Sequence, residues 1–197
     1  MPVDELKKFS PLGGIEYDPS VWDLGHASWS PETSKIAFVV KNGSRLEGFV
    51  FYADPDGSNL KLFGAKPMHW VFYDNKSFFG HDDKRDKKDK HMRLWNLDGE
   101  IIEELSGYGC HGTISPDGNW IATESWYRSN PVHLYLYKRG ETKPYKILAT
   151  QDNDVWNYRS HVHPAFSRDG MRVYFNYDAP GSKGSQVYAY DLSEITK

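Results

Sequence analysis

Apolar residues in this chain fall in short alternating runs separated by turn formers, and the runs recur in a fixed order. The first set is His26-Ala-Ser-Trp-Ser-Pro31, Lys35-Ile-Ala-Phe-Val-Val40, Gly48-Phe-Val-Phe-Tyr52, the turn Asp54-Pro-Asp-Gly57 and Leu60-Lys-Leu-Phe63. The second is His69-Trp-Val-Phe-Tyr73, Ser77-Phe-Phe79, Met92-Arg-Leu-Trp-Asn-Leu97, Asp98-Gly99 and Ile101–Leu105. The third is His111-Gly-Thr-Ile-Ser-Pro-Asp-Gly118, Trp120-Ile-Ala-Thr123, Val132-His-Leu-Tyr-Leu-Tyr137 and Tyr145-Lys-Ile-Leu148. The fourth is His163-Pro-Ala-Phe-Ser-Arg-Asp-Gly170, Arg172-Val-Tyr-Phe-Asn176 and Gln186-Val-Tyr-Ala-Tyr-Asp191. Runs of this length, rich in β-branched and aromatic residues and bounded by Gly, Pro and Asp, are strands. The Asp-Gly pairs supply the positive φ that tight hairpins need.

The leading histidines are 43, 42 and 52 residues apart. A period of about 40–50 residues carrying four short strands is the signature of a propeller blade. The expected fold is therefore all-β, a β-propeller of about four four-stranded blades. The expected division is a lead-in segment over 1–21 and blades over 22–64, 65–106, 107–150 and 151–197. In the lead-in, Gly14–Tyr17 reads as a lone strand and Val3–Phe9 as a short helix. The fourth repeat stops after its third strand. The chain then reads either as a ring closed by Gly14–Tyr17 or as the C-terminal part of a larger propeller of about seven blades, and we favour the second. An open ring leaves strand edges bare, so a homodimer is expected if the propeller is incomplete.

Composition narrows the function classes. With 24 Lys and Arg against 27 Asp and Glu, the net charge is -3, which argues against a nucleic-acid partner. The 7 Trp and 13 Tyr fit a strand-rich fold, or alternatively stacking platforms for sugars. The single cysteine, Cys110, excludes an internal disulfide. No apolar run has the length of a membrane span. Met1–Lys8 has no apolar core of a signal peptide, so the expected location is cytoplasmic.

The candidate chemistry lies in the histidines. The first strand of a blade lines the channel, so the starts of first strands converge on one mouth. His26, His69, His111, His161 and His163 all stand at such starts. His161 and His163, one residue apart, are expected on one face of one strand. Three imidazoles with open positions suit a divalent ion such as Zn, Mn, Fe, Ni or Cu. Gly25-His26 also fits a structural hydrogen-bond network at a blade start. His81, His91 and His133 read as surface or packing residues. Strand alternation turns Cys110 away from His111, so it too reads as packing. The charged run Asp82–Lys90 reads as a solvated hairpin tip near the same mouth.

The Trp29-Ser-Pro31, Ile114-Ser-Pro-Asp-Gly118 and Phe166-Ser-Arg-Asp-Gly170 phrases, with His161-Val-His-Pro164 one blade after His111, resemble the oligogalacturonate lyase family of TolB-like, WD40-like propellers. The likeness covers most of 22–192. It implies a divalent metal, Mn2+, held by His111, His161 and His163, with His69 as the catalytic base. The family's further ligand, a glutamine ahead of the His-x-His pair, has no counterpart, since Tyr158 stands three residues before His161. The implied reaction is β-elimination from an α-1,4-linked uronate oligomer, with an acidic oligosaccharide as substrate, as in pectin degradation. Arg159 or Arg128 is the candidate for binding its carboxylate. A second reading, from a different class, is a non-catalytic TolB-like propeller module that binds protein or carbohydrate.

Overall fold

The computed structural model describes residues 22–42, 48–65, 67–82, 91–126, 129–152, 161–179 and 184–195. Fifteen strands run in chain order among these residues. They are β1 (Trp22–Trp29), β2 (Ile36–Asn42), β3 (Gly48–Ala53), β4 (Lys61–Leu62), β5 (Pro67–Phe72), β6 (Ser77–Asp82), β7 (His91–Asn96) and β8 (Ile101–Tyr108). There follow β9 (Gly112–Ile114), β10 (Trp120–Glu124), β11 (Val132–Lys138), β12 (Lys146–Gln151), β13 (Ala165–Phe166), β14 (Arg172–Tyr177) and β15 (Gln186–Asp191). The sheets are sequential meanders, β1-β2-β3-β4, β5-β6-β7-β8, β9-β10-β11-β12 and β13-β14-β15. The fold is thus all-β and built of propeller blades, three with four strands and the last with three among the described residues. The lead-in segment, with the helix and strand expected there, lies outside the described residues.

The Ser115-Pro-Asp-Gly118 turn and its variants Ser167-Arg-Asp-Gly170 and Ser30-Pro-Glu-Thr33 fold the same way. Ser115 Oγ accepts the Trp120 N–H at 2.9 Å, and Gly118 N–H reaches Ser115 O at 2.9 Å. Ser167 Oγ accepts Arg172 N–H at 2.9 Å and Gly170 N–H reaches Ser167 O at 3.0 Å. In the first blade Ser30 Oγ accepts Lys35 N–H at 3.0 Å, and Thr33 takes the place of the glycine at φ 55°. Gly118 and Gly170 have φ of 76° and 72°, so the turn needs a left-handed residue at its fourth position. Asp117 and Asp169 are held below the ordinary carboxylate range, chiefly by the serine hydroxyl of the same turn.

The chain divides into two compact units: residues 1–66, 71–78 and 95–100, and residues 67–70, 79–94 and 101–197. In the first, Val40 and Phe51 are buried with Phe38, Phe49, Leu60 and Leu62 against them. The second has a larger core, in which Leu134, Leu136, Val173 and Leu192 are at most 1% exposed and pack with Trp120, Val132 and Phe175. Fully burying such an aliphatic side chain is worth about 1.5–3 kcal/mol. This core joins the last two blades, and β13 lies beside β9. The starts of those two strands, where the histidines stand, are neighbours for that reason.

The expectation that His161 and His163 share a strand is corrected. β13 comprises only Ala165–Phe166, and 161–164 form a lead-in without a ladder of their own. His163 has φ 43°, which breaks the alternation between it and His161. His26 and His69 have φ 49° at the equivalent positions of their blades, and β1 bulges between Gly25 and Ser28. A left-handed non-glycine residue costs about 1–3 kcal/mol and re-aims its side chain. Since His26, in the first unit, shares it, the kink is not peculiar to the histidine cluster, although the third blade, led by His111, lacks it.

Candidate metal centre

Every residue of the cluster belongs to the second unit. His69 comes from β5, His111 from the turn ahead of β9, and His161 and His163 from the lead-in to β13. His111, His161 and His163 each present a ring nitrogen, and these three atoms lie within 4.8 Å of one another. The ring centroids of His111 and His163 are 3.8 Å apart, and those of His111 and His161 5.0 Å. His69 adjoins this group, its ring centroid 3.9 Å from that of His111 and the two planes tilted by 52°. Exposure grades outward, from His111 at 7% through partly buried His161 to exposed His163. The set is therefore anchored in protein at one end and open to solvent at the other.

A buried carboxylate orders the set. Glu124, 0% exposed, closes β10 and meets His111 Nδ1 through Oε1. Its Oε2 accepts the Val162 N–H at 2.7 Å. One side chain therefore fixes both the His111 ring and the backbone between His161 and His163. Opposite it, Asn176 on β14 donates its N–H to Val162 O at 2.8 Å and its Nδ2 to His161 O at 3.1 Å. Thr123 Oγ1 donates to His111 O at 3.0 Å. Gly109 lies against that threonine, and a Cβ on it would be 2.1 Å from Thr123 Oγ1. A carboxylate on Nδ1 leaves Nε2 as the lone-pair nitrogen of His111, the arrangement that supports metal-bound imidazoles.

The donor set fits a borderline divalent ion. Nitrogens bound at about 2.0–2.1 Å around one ion are about 3–3.4 Å apart, and the three atoms here already lie within 4.8 Å of one another. Neutral imidazoles, without a cage of carboxylates, suit Mn, Fe, Ni, Cu or Zn better than Ca or Mg. Three protein ligands leave positions for water or substrate.

The titration behaviour of His69 differs from that expected of an ordinary histidine. Burial, followed by the charges of His111, His81, His163 and His161, pushes its pKa down to about 2. It is therefore neutral throughout the usual pH range. His161 is lowered mainly by burial, with Glu124 opposing.

Other sequence-based expectations meet the structure differently. His26 is exposed and lies in the first unit. Arg128, Arg159 and Tyr158 lie outside the described residues, as does most of the 82–90 run. His133 bonds Thr150 Oγ1 at 3.0 Å across β11 and β12, a packing role. His81 is no surface residue. It is 0% exposed, and its Nε2 is 3.0 Å from His69 Nδ1. Cys110 does not face away, because it sits in a turn where strand alternation does not apply, and its Sγ is 3.5 Å from His69 Nδ1. Glu124 was not among the residues expected at the site; the one sequence signal for it, a charge closing the apolar run Trp120-Ile-Ala-Thr-Glu124, fits a solvent-facing carboxylate as well as a buried one.

No protein-family model matches the sequence, and no curated protein matches it. Solved structures do share the fold. An oligogalacturonate lyase from Vibrio parahaemolyticus is 19% identical, with 88% of this chain and 50% of that one covered at a TM-score of 0.63. TolB from Acinetobacter baumannii is 18% identical, with 87% and 41% covered at 0.59. The β-propeller domain of the Trilobed protease from Pyrococcus furiosus is 16% identical, with 88% and 57% covered at 0.51. At these identities the likeness is one of fold, and this chain spans less than two thirds of each of those structures.

Proposed function

We propose that this chain is a metal-dependent lyase that cleaves oligogalacturonate-type uronic acid oligomers by β-elimination. The observation that carries the reading is the convergence of His111, His161 and His163 on one open site backed by the buried Glu124. These three histidines would hold the ion, with Mn2+ the expected metal. An ion held there would supply positive charge against the negative charge that builds on the uronate carboxylate as the adjacent C–H bond breaks.

The chain's own residues supply the rest. Glu124 keeps the His111 proton on Nδ1 and holds the 161–163 backbone in place. Exposed His163 marks the side from which substrate approaches. His69, neutral through the working range, accepts the proton α to the carboxylate. The electron pair released forms the C=C bond, and the glycosidic C–O bond breaks with departure of the leaving sugar. Burial among other histidines lowers the basicity of His69, so the step requires the proton to pass on directly, to solvent or to the leaving oxygen. Arg128 and Arg159 are the candidates for a bidentate grip on a substrate carboxylate.

Digalacturonate and longer oligomers, incubated with the Mn2+-loaded protein, test the proposal. A rise in ultraviolet absorbance from the new C=C bond, abolished by His161→Ala with His163→Ala, is expected. A protein that binds Mn2+ through these histidines and yet gives a flat trace with uronate oligomers contradicts the lyase reading. It would be a binding module of the TolB kind.

A further inference from the structure

Beneath the three-histidine set lies a second group of donors that the lyase reading does not use as such. His69 Nδ1 is 3.0 Å from His81 Nε2 and 3.5 Å from Cys110 Sγ. The triangle closes with Cys110 Sγ 3.9 Å from His81 Nε2. A tetrahedral ion with imidazoles at about 2.0–2.1 Å and a thiolate at about 2.3 Å sets its nitrogens about 3.3 Å apart and nitrogen from sulfur about 3.6 Å apart. The three separations in the protein are each within a few tenths of an ångström of those values. The residues come from β5, β6 and the turn before β9, far apart in sequence, and all belong to the second unit.

We infer that His69, His81 and Cys110 form an inner metal site for a thiolate-seeking ion of the Zn2+ or Cu+ class. It is separate from the outer set because it needs neither His161 nor His163. His111 lies within reach of both groups. With its Nδ1 against Glu124, however, it has one nitrogen to offer and can serve only one ion at a time. The inner site is thus a His2Cys site with a fourth position that His111 or water fills.

Burial supports a built site. His81 and Cys110 are both 0% exposed, and His81 ends the apolar run Ser77-Phe-Phe-Gly-His81. Burying an imidazole at the end of such a strand costs free energy that a strong partner must offset. The strand is also shaped to bring it in. A Cβ on Gly80 would be 3.0 Å from Met68 O and 3.1 Å from Trp70 Cα, so glycine before His81 lets β6 close on β5. Soft thiolate ligation selects Zn2+ or copper over Mn2+, so the two sites would sort ions by chemistry. The inference has one consequence that rests on the lyase reading. With Nδ1 on an ion, His69 carries its proton on Nε2 and cannot accept another, so inner-site Zn2+ would inhibit elimination.

Metal-stripped, reduced protein titrated with Co2+ tests this directly, because Cys110 is the one cysteine of the chain. The expected result is an intense near-ultraviolet sulfur-to-cobalt band, bleached by Zn2+. The band should be kept in the His161→Ala, His163→Ala double variant and lost in Cys110→Ser. Zn2+ stoichiometry should fall from two per chain to one in Cys110→Ser. A native protein without the band overturns the inference, whatever the variants do, and leaves the group a hydrogen-bonded cluster. A protein that shows the band but no elimination removes the lyase reading alone.

Discussion

Replacing Glu124 by glutamine separates its role in folding from its role in ordering the metal site. In the native protein Oε2 accepts the Val162 N–H at 2.7 Å while Oε1 meets His111 Nδ1. A glutamine of the same shape keeps an oxygen for Val162 and turns its NH2 towards His111. The ring then adopts the other tautomer, accepting at Nδ1 and carrying its proton on Nε2. All groups remain satisfied, so stability should change by no more than about 1 kcal/mol. To bind a metal, His111 must first free Nε2 by putting its proton back on Nδ1, facing the amide. That leaves two donors opposed, or strands Val162 N–H if the amide flips, at about 1–3 kcal/mol. Since about 1.4 kcal/mol is tenfold, Mn2+ affinity should fall about 10–100-fold, the usual range for loss of a carboxylate behind a histidine ligand. Glu124→Ala should behave differently. It orphans both buried partners and opens a cavity, costing about 4 kcal/mol of stability. Calorimetric titration with Mn2+, alongside urea unfolding of the metal-free proteins, measures both quantities. Native affinity in Glu124→Gln, with His163→Ala still weakening binding, would refute the tautomer argument.

His69 is neutral in the folded chain down to about 2 but takes up a proton near 6.5 when unfolded. Its contribution to stability is therefore complete above pH 6.5 and is lost as pH falls from there towards the folded value. The loss is up to about 1.4 kcal/mol per unit, or about 3 kcal/mol at pH 4.5, and His161, lowered as well, adds in the same direction. Urea midpoints in EDTA should drop over that span and drop less in His69→Gln; equal slopes for both proteins would count against the burial argument. Gly109→Ala drives a Cβ into Thr123 Oγ1, so it should cost about 1–3 kcal/mol and weaken Mn2+ binding. Gly184→Ala, with nothing within 4 Å of the new atom, should change unfolding by less than about 0.5 kcal/mol. Leu134→Ala, in the core joining the last two blades and 1% exposed, should cost about 2–5 kcal/mol in chemical denaturation.

The strands were legible because each is short, alternating and closed by a turn whose chemistry is local. Ser115-Pro-Asp-Gly118 folds on its own hydrogen bonds, so its sequence declares its shape. The gathering of His69, His111, His161 and His163 was legible from repeat position alone, since a blade fixes where its first strand starts. The orientation of these side chains was not. Alternation governs ladders, and Cys110, His111 and the 161–164 segment lie outside them. There a positive φ at His163 and a carboxylate two strands away decide where each ring points. Glu124 and His81 were missed because one charged or polar residue in an apolar strand reads the same whether it meets solvent or a buried partner.

Mn2+ binding followed by electron paramagnetic resonance tests the central claim most directly. The free ion gives a sharp six-line signal that broadens when imidazoles hold it. One equivalent should lose its free signal in the native chain, and none in the His161→Ala, His163→Ala double variant, with Cys110→Ser behaving as native. A free-ion signal undiminished by the native protein, or quenched equally by the double variant, would contradict a metal centre at His111, His161 and His163.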